Sequence, residues 1–432
     1  MKLLQILSNM IRSFYTTFIE PQKTTVFLLV ILFFAVATKS WHLYHPQTYV
    51  FDEVYVGFTA EEYVKGNMKA WVWDYPTPKG FAYDWSHPPM GRLFMAVPIK
   101  LLGISSFSRR IMPLLAGVAI SFVVFHIAKE LFPKKPTIGV MAAALTALDG
   151  LLLVMSRTAL ADTILAFFLL SMIYFFLKKN YLLSSLLFGA AVATKWTAIY
   201  SLGFIGLALL TYFPWKKSLK VIGKTVFKIS GIISLYLVVG VDVYLLSYLP
   251  LINHYGVDKF VELQKQMYWY HTGLKATHPY QSSALSWPLL LRPVWFFVDY
   301  SKTTVENIYA LGNPLIFWGG LLAVAFTIWY AIVHKEKKLF YLLIAYAIFW
   351  VPWIFSPRIM FLYHYLPAIP FLGIILAFSL EKISSYSPKL KNISLVFLTA
   401  AFILFWFFYP YWTAIPVSKE EVKRFQWFES WQ

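Results

Sequence analysis

Two adjacent carboxylates, Asp52 and Glu53, open a polar stretch of the chain, residues 51–91. They directly follow a strongly apolar run that starts near Thr25, so a membrane-spanning helix would hold them at the bilayer surface. A carboxylate in that place can act as general base for a hydroxyl nucleophile, and it can also bind a divalent cation. A solvated loop pair without chemistry is the plain alternative. The further acidic and aromatic residues of the same loop favour a functional pair.

His87 and two prolines lie near the end of this stretch, and Gly91 and Arg92 come next. The prolines would fix the first turn of a helix. The segment 89–103 is too short and too interrupted to span a membrane, so we expect it to lie along the surface. His87 and Arg92 are therefore candidate substrate ligands at this surface.

Other ionisable residues interrupt the apolar part of the chain. Arg157 and Asp162 are separated by five positions, and Lys195 breaks a further apolar stretch beside Trp196. Charged groups inside a membrane protein are usually functional or paired with one another. An Arg157–Asp162 ion pair that braces two helices is the structural alternative, as is a lysine that extends to the interface.

Composition defines the elements that must carry these residues. The 432-residue chain is 59% hydrophobic and 13% charged, whereas soluble domains contain roughly 25% charged residues. Aromatic residues make up 19%, which fits interfacial belts of Trp and Tyr. The absence of cysteine excludes disulfides, thiolate zinc sites and a cysteine nucleophile. We therefore predict an all-α polytopic membrane protein.

Apolar runs of about 20 residues, the length that a helix needs to cross the hydrocarbon, recur along the chain. They predict about eleven spans, at residues 25–43, 110–132, 137–155, 158–177, 181–195, 197–213, 226–249, 314–333, 339–355, 359–380 and 393–412. Residues 1–23 predict a short amphipathic segment on the cytoplasmic face. The two long connections, 44–109 and 250–312, are too small for an independent core, so we expect one membrane domain, 1–432.

The charge of the connections orients these spans. With the N-terminus in the cytoplasm, lysine pairs such as Lys134-Lys135 and Lys178-Lys179 fall on the cytoplasmic side, as the positive-inside rule requires. Both long connections and the C-terminal tail then lie on the non-cytoplasmic side of the cell membrane. We expect the net charge of +18 to contact anionic lipid headgroups and not nucleic acid.

This orientation separates the two kinds of cation. The arginines of the outer side are Arg92, Arg109, Arg110, Arg157, Arg292 and Arg358. A planar guanidinium binds phosphate bidentately, and topology does not call for positive charge on that side. We therefore expect a shared anionic ligand, with scattered structural pairing as the alternative. Tyr363 and His364 add hydrogen-bonding groups to the same face.

Six short motifs occur in an order that matches one enzyme family. They are Phe51-Asp52-Glu53, His87-Pro88-Pro89-Met90-Gly91, Ser156-Arg157 with Asp162, Thr194-Lys195-Trp196-Thr197, Trp287-Pro288 with Leu291-Arg292-Pro293, and Tyr363-His364-Tyr365-Leu366-Pro367. Across residues 50–370 the chain thereby resembles the protein O-mannosyltransferases, glycosyltransferase family 39. Each motif alone is weak, and six in order are specific.

The resemblance implies a membrane fold of the GT-C type, with interfacial helices in the first outer loop. It also implies inverting transfer of mannose from a polyprenyl (dolichyl) phosphate lipid to Ser or Thr hydroxyls of proteins, on the non-cytoplasmic side. By the same resemblance, Asp52 is the catalytic base and Glu53 is its companion near the acceptor. Arg110 and the other outer arginines match the lipid-phosphate region.

The chain departs from the family pattern in two places. Eukaryotic members carry a soluble β-trefoil module between the seventh and eighth spans, and the loop 250–312 is too short to contain it, as in prokaryotic relatives. Their acidic residue two positions before the His-Pro-Pro turn is replaced here by Trp85, which leaves the role of Asp84 open. The more distant aminoarabinose transferases share the early acidic pair, so the resemblance specifies the reaction type better than the sugar.

The resulting hypothesis is a single in-line displacement. Asp52 would take the proton of the acceptor hydroxyl, and outer cations would stabilise the charge on the leaving phosphate. These cations are Arg157, Arg292 or Arg358, together with Lys195. The scheme needs no covalent intermediate and no cofactor. Asp52, Glu53 and His87 could form a cation site, but the sequence contains no tight ligand spacing and we expect no metal.

Two other functions compete with this hypothesis. A transporter or flippase would show repeats in its two halves and paired charges at mid-bilayer, and the sequence contains no such repeat. A transferase of another sugar, or one with a lipid or glycan acceptor, would keep the same pattern of residues. The acceptor motif, the polyprenyl chain and the question of a dimer stay open.

Overall fold

The protein is a helical bundle in which the long connections pack together at one end. The computed structural model describes residues 21–211, 213–215, 217–273 and 275–432. Most of the predicted amphipathic segment 1–23 lies outside these residues. The α-helices in chain order are α1 (Pro21–Ser40), α2 (Val56–Val64), α3 (Met90–Leu102), α4 (Ser106–Leu131), α5 (Pro136–Ala147), α6 (Gly150–Ser156), α7 (Asp162–Leu177), α8 (Tyr181–Val192), α9 (Ser201–Thr211), α10 (Leu219–Ser247), α11 (Leu249–Gly273), α12 (Pro314–His334), α13 (Lys337–Ile348), α14 (Ile369–Tyr386), α15 (Ile393–Thr413) and α16 (Lys419–Phe425).

Each predicted span lies on a helix of the described part of the chain. The segments there that are long and apolar enough to cross a membrane are Ser106–Leu131, Leu219–Ser247, Pro314–His334, Lys337–Phe355, Leu362–Tyr386 and Pro388–Thr413. Shorter apolar helices occupy Thr24–Ser40, Asp162–Leu177, Tyr181–Val192 and Trp196–Thr211. The protein is thus a multi-pass membrane protein, and eleven crossings stay a prediction.

The predicted span 137–155 is bent. Helices α5 and α6 meet at an angle of 62°. The bend lies at Asp149, whose carboxylate accepts a hydrogen bond from the backbone N–H of Leu152 at 2.8 Å. The aspartate therefore caps a new helix inside an apolar run.

A small antiparallel sheet, which the sequence did not predict, joins the second long connection to the C-terminal tail. Strands β1 (Val294–Tyr300) and β2 (Thr304–Ala310) form a hairpin, and β3 (Val417–Ser418) pairs with the start of β2. The hairpin also contacts the first long connection, because His45 Nε2 lies 2.6 Å from Glu306 Oε2. Both connections and the tail therefore lie together, at what we call the loop end of the bundle.

The core lies between the central helices. Helix α14 is buried along most of its length, whereas only 17% of the apolar window of α10 is buried within the protein. An apolar surface of this kind can face lipid at no cost, because lipid tails are as apolar as the side chains themselves. The central helices thus form the rigid support from which the loop end projects.

Candidate active site

The acidic pair lies in a single 3-10 turn, Phe51–Val54, after the end of α1. Glu53 is fully buried there and receives a bidentate pair of hydrogen bonds from Arg110, with both N–O distances 2.8 Å. The backbone N–H groups of Val50 and Ala159 donate to the same carboxylate at 3.0 and 2.8 Å. Because each oxygen of Glu53 already has two donors, this side chain is an internal brace.

A second ion pair supports the first. Arg109 Nη1 lies 2.7 Å from Glu61 Oε1, and Arg109 Nε lies 3.6 Å from Glu53 Oε2. The hydroxyl of Tyr49 donates to Glu61 at 2.6 Å. We call Glu53, Glu61, Arg109 and Arg110 the brace. All four side chains are buried, so the brace is stable only while each charge keeps its partner.

Arginines also bind the carbonyl groups that lead into the acidic pair. Arg110 Nη1 donates to the carbonyl of Pro46 at 2.8 Å. Arg157 Nη1 donates to the carbonyls of Lys39 and Trp41, at 2.9 and 2.5 Å, beyond the end of α1 where such groups lack helical partners. The guanidinium groups of Arg110 and Arg157 thus fix the chain between the first helix and the carboxylates.

Arg92 is likewise engaged inside the protein. It is buried and forms an ion pair with Asp84, the residue whose role the sequence left open. Its Nη2 donates to the carbonyl of His87 at 2.8 Å, and its Nε donates to the hydroxyl of Tyr63 at 3.3 Å. The pair therefore holds the His-Pro-Pro turn against the first long connection.

Arg292 lies at the rim of the loop end. Its guanidinium donates to the carbonyls of Pro279 and Ser430, at 3.0 and 2.9 Å, and lies 5.2 Å from the ring centre of Tyr280. These contacts tie the second long connection to the C-terminal tail.

Asp52 differs from the adjacent Glu53 in its burial and in its hydrogen bonds. It is partly buried, and its carboxylate makes no hydrogen bond with any residue that the structure describes. Burial raises the pKa of Asp52 to about 7, the charge of Lys195 opposes this rise, and the charges of Asp162 and Asp84 add to it. A carboxylate of this kind is ionised in part near neutral pH and can accept a proton from a substrate.

Lys195 and Asp162 form an ion pair close to Asp52, with Nζ and Oδ1 2.8 Å apart. The pair lines a small pocket. The remaining lining residues are Leu165, Leu169, Thr197, Tyr200, Phe349, Trp353, His364 and Pro367. The lining thus combines an ion pair and other polar side chains with apolar ones such as Leu165 and Leu169.

A second cation, Arg358, faces the same region. It donates a hydrogen bond to Nδ1 of His271, and its guanidinium lies 5.5 Å from the ring centre of Tyr270. The ring of His271 stacks on His87 with centroids 5.2 Å apart. Burial lowers the pKa of His87 well below its usual value, and burial together with the Arg358 charge lowers the pKa of His271 to about 4.

His364 lines the pocket, and Tyr363 lies directly before it in the chain and next to it in space. The ring of Tyr363 stacks on His364 at 4.7 Å and lies 6.0 Å from Phe51, next to Asp52. Nδ1 of His364 lies 3.1 Å from the backbone N–H of Phe361, which leaves Nε2 for the pocket. Both residues were predicted as substrate ligands, and both lie on the side of Asp52.

The structure therefore divides the predicted site residues into two sets. One set, which we call the pocket group, consists of three residues that line the pocket, Asp162, Lys195 and His364, and three that interact with them, His87, Arg358 and Tyr363. The other set has its hydrogen bonds inside the protein and lies in or near the brace or at the rim: Glu53, Arg92, Arg110, Arg157 and Arg292. Sequence reasoning missed His271, and the aromatic run Tyr268-Trp269-Tyr270-His271 was the signal that could have revealed it.

No cluster of three or more potential metal ligands occurs among the described residues. His87 and His271 stack on each other, but the ring of His271 is already hydrogen-bonded at both nitrogens. The absence of a metal requirement stays a prediction.

Two family models match the chain. Residues 86–244 match the model described as dolichyl-phosphate-mannose-protein mannosyltransferase. Residues 256–431 match the model of the C-terminal four-transmembrane region of protein O-mannosyltransferase. The two matches cover most of the chain from residue 86 onward, and the acidic pair lies outside them.

Individual proteins agree with this result. The chain is 24% identical over 431 residues to the polyprenol-phosphate-mannose–protein mannosyltransferase of Mycolicibacterium smegmatis, covering 80% of this chain and 82% of the relative. The solved Saccharomyces cerevisiae protein O-mannosyltransferase Pmt1–Pmt2 complex, bound to the sugar donor, matches with a TM-score of 0.81 at 15% identity, covering 95% of this chain and 93% of that one.

A solved structure of ArnT from Cupriavidus metallidurans in the apo state matches with a TM-score of 0.55 at 18% identity, covering 86% of this chain and 61% of that one. At such identities these two structural matches show the fold alone. They confirm the predicted GT-C architecture of the membrane bundle.

Proposed function

Because the chain belongs to the protein O-mannosyltransferase family, we propose that it transfers mannose from a polyprenyl-phosphate lipid to Ser or Thr hydroxyls of proteins. It is a membrane glycosyltransferase, as its relatives are. The observation that carries the proposal is the Asp52 carboxylate, which has no hydrogen-bond partner among the described residues and interacts with the charges of Lys195 and Asp162, two residues that line the pocket.

The proposed reaction is one displacement at the anomeric carbon of mannose. The acceptor oxygen forms a bond to this carbon while the bond from the carbon to the phosphate oxygen breaks. The electron pair of the broken bond stays with the phosphate, and the proton of the acceptor hydroxyl goes to Asp52. A single displacement inverts the anomeric centre.

The leaving phosphate gains negative charge as its bond to the sugar breaks. Lys195 and Arg358 are the cations of the pocket group, and neither is part of the brace. Preorganised charges in a site of low polarity stabilise such developing charge strongly. We assign the phosphate to these two side chains, and the lipid chain to the apolar part of the pocket, along Leu165 and Leu169.

The other predicted ligands receive a supporting role in this proposal. Arg110 and Arg157 bind backbone carbonyls before the acidic pair, and Arg92 binds Asp84. These contacts fix the turn that carries Asp52, and accurate placement of a catalytic group accounts for a large part of a rate enhancement. Glu53 acts with them, as the carboxylate of the brace.

We also propose the setting of the reaction. The N-terminus lies in the cytoplasm, and the loop end faces the non-cytoplasmic side of the cell membrane. The lysine-rich connections, such as Lys134-Lys135 and Lys178-Lys179, support this orientation. The displacement uses no metal or cofactor, so EDTA should leave the activity unchanged.

The test is a transfer assay with the purified full-length protein. Polyprenyl-phosphate mannose and a Ser/Thr-containing peptide are supplied in detergent, and mass spectrometry follows the mass of one hexose on the peptide. A peptide in which Ala replaces every Ser and Thr is the matched control. Modification of the control peptide, or transfer only from another lipid-linked sugar, would contradict the proposed acceptor or donor. Movement of lipid without any transfer would favour the transporter.

A further inference from the structure

Arg358 has a long side chain on a segment that is neither helix nor strand. It lies between two 3-10 turns, Val351–Phe355 and Leu362–Ala368, in a stretch without regular structure. Within the described part of the chain, its guanidinium has no carboxylate partner. Its contacts there are the Nδ1 atom of His271 and the ring of Tyr270. A free arginine has many rotamers, so a defined position at the site needs a partner that holds it.

His271 has the geometry of such a partner. A guanidinium can only donate, so Nδ1 must accept the hydrogen bond from Arg358. The proton of the neutral ring is then on Nε2, which donates to the carbonyl of Ser86 at 2.7 Å. Both ring nitrogens are used, and each has one role. The ring thus connects Arg358 to the turn that begins at Ser86.

The surroundings of His271 keep this ring in place. It lies in the last turn of α11, a helix that is continuous after Gly256. His87 stacks on one side, with centroids 5.2 Å apart, and Trp196, the neighbour of Lys195, lies at 5.8 Å. The ring therefore touches the segments that carry His87, Lys195 and Arg358.

We propose that His271 is a positioning residue that holds the Arg358 guanidinium where the phosphate of the lipid donor binds. This inference rests on the proposed function, because that function supplies the phosphate. His271 itself does not contact the donor. It accepts the hydrogen bond of Arg358 while remaining neutral, so the positive charge of the guanidinium stays available to an anion.

Two substitutions separate the two hydrogen bonds. Asparagine places its side-chain oxygen about where Nδ1 lies, so His271→Asn keeps an acceptor for Arg358 and loses the bond to Ser86. Glutamine places its amide nitrogen about where Nε2 lies, so His271→Gln keeps the bond to Ser86 and removes the acceptor at Nδ1. His254→Asn is the matched control, because His254 is exposed in the part of α11 before Gly256.

For each variant, two quantities are measured and compared with the wild type: the KM for polyprenyl-phosphate mannose and the KM for the acceptor peptide. We expect His271→Gln to raise the KM for the donor by about 10- to 100-fold, since a small misplacement of a binding group has effects of this size. His271→Asn should stay within about 3-fold of the wild type, well below that range. The KM for the peptide should change little in either variant. Equal losses in both variants would overturn the proposal, as would full activity of His271→Gln.

A double-variant cycle tests whether His271 acts through Arg358. If it does, Arg358→Gln combined with His271→Gln binds the donor no worse than Arg358→Gln alone. Additive losses would show an independent role for His271 and contradict the inference.

Binding of polyprenyl phosphate without sugar, measured by thermal shift, gives the same comparison without turnover. This measurement separates two failures. A wild type that binds the lipid phosphate but transfers no mannose refutes the proposed function. Loss of that binding in His271→Gln, but not in His271→Asn, would still support positioning.

Discussion

Asp52 and Glu53 are neighbours in the chain, but they belong to two regions with opposite chemistry. Glu53 is fully buried in the brace, with four hydrogen bonds from Arg110 and two backbone N–H groups. Asp52 faces the pocket group, and its carboxylate has no hydrogen bond within the described residues. A carboxylate whose oxygens are all occupied stabilises structure, whereas one that is left open can exchange a proton with a substrate. The brace therefore positions the chain, and the pocket group carries the reaction.

The largest effect is expected for the residue that the brace leaves free. Asp52→Asn keeps the shape of the side chain and removes its ability to accept a proton, so mannosyl transfer should fall by about 10²- to 10⁴-fold. The thermal unfolding temperature should not fall, because no internal hydrogen bond of the carboxylate is lost. The measurement is kcat with purified protein at saturating donor. A variant with wild-type kcat would remove Asp52 as the base.

The equivalent carboxylate-to-amide substitution at Glu53 should reduce stability, whereas the one at Asp52 reduces activity. Glu53→Gln leaves Arg110 buried beside a neutral partner, and breaking a buried ion pair from one side costs about 3–5 kcal/mol. We expect a clear drop in the unfolding temperature in detergent, with activity lost in proportion to the folded fraction. Glu381→Gln is the matched control. Glu381 forms an ion pair with the exposed side chain of Lys135, with Nζ and Oε1 2.9 Å apart, and exposed pairs contribute at most about 1 kcal/mol. Equal unfolding temperatures for the two variants would show that the brace is not structural.

Arginines of the two regions should differ in the same way. Arg358→Gln removes a cation of the pocket group, and the loss of one stabilising donor at a reacting centre costs about 10²- to 10³-fold in kcat. Arg292→Gln removes hydrogen bonds to the carbonyls of Pro279 and Ser430 and the contact with the ring of Tyr280, so it should cost about 1–3 kcal/mol of stability. Single-turnover rates and unfolding temperatures are measured for both variants. Similar rate losses in the two would indicate that the phosphate is not bound as we propose.

The sequence predicted the large elements well because apolar runs of span length carry a strong signal. Each predicted span lies on a helix, although the chain bends at Asp149 inside one of them. The hairpin Val294–Ala310 was missed because its strands lie in a connection that was treated as loop. Sequence also placed Asp52 and Glu53 beyond the first span, but directly after it, whereas in the structure residues 41–50 separate their 3-10 turn from α1.

The division of the arginines could not be predicted from sequence. Arg110 and Arg358 have similar local contexts, at the ends of apolar runs, and their partners come from distant parts of the chain. Pairing with Glu53 or with His271 is decided by tertiary packing, which a pattern of residue types does not contain. For the same reason residue type alone does not distinguish the two adjacent carboxylates, although only Glu53 is enclosed by donors.

The smallest and most specific effect is expected from pH. Because burial raises the pKa of Asp52 to about 7, the neutral form grows as the pH falls through 7. A base works only when ionised, so kcat/KM should fall by about tenfold per pH unit below that value and level off above it. His271 stays neutral over this range, since its pKa is lowered to about 4, and the pKa of His87 lies well below its usual value. The fall of kcat/KM below pH 7, the acidic limb of the profile, therefore belongs to the carboxylate of Asp52, and the pH at which it occurs should depend on the neighbouring charges.

Two substitutions test this assignment of the acidic limb. Lys195→Gln removes the charge that lowers the pKa of Asp52 and should move the limb to higher pH, whereas Asp162→Asn should move it to lower pH. Shifts in these two directions would tie the limb to Asp52, and a limb that neither substitution moves would assign it to another group.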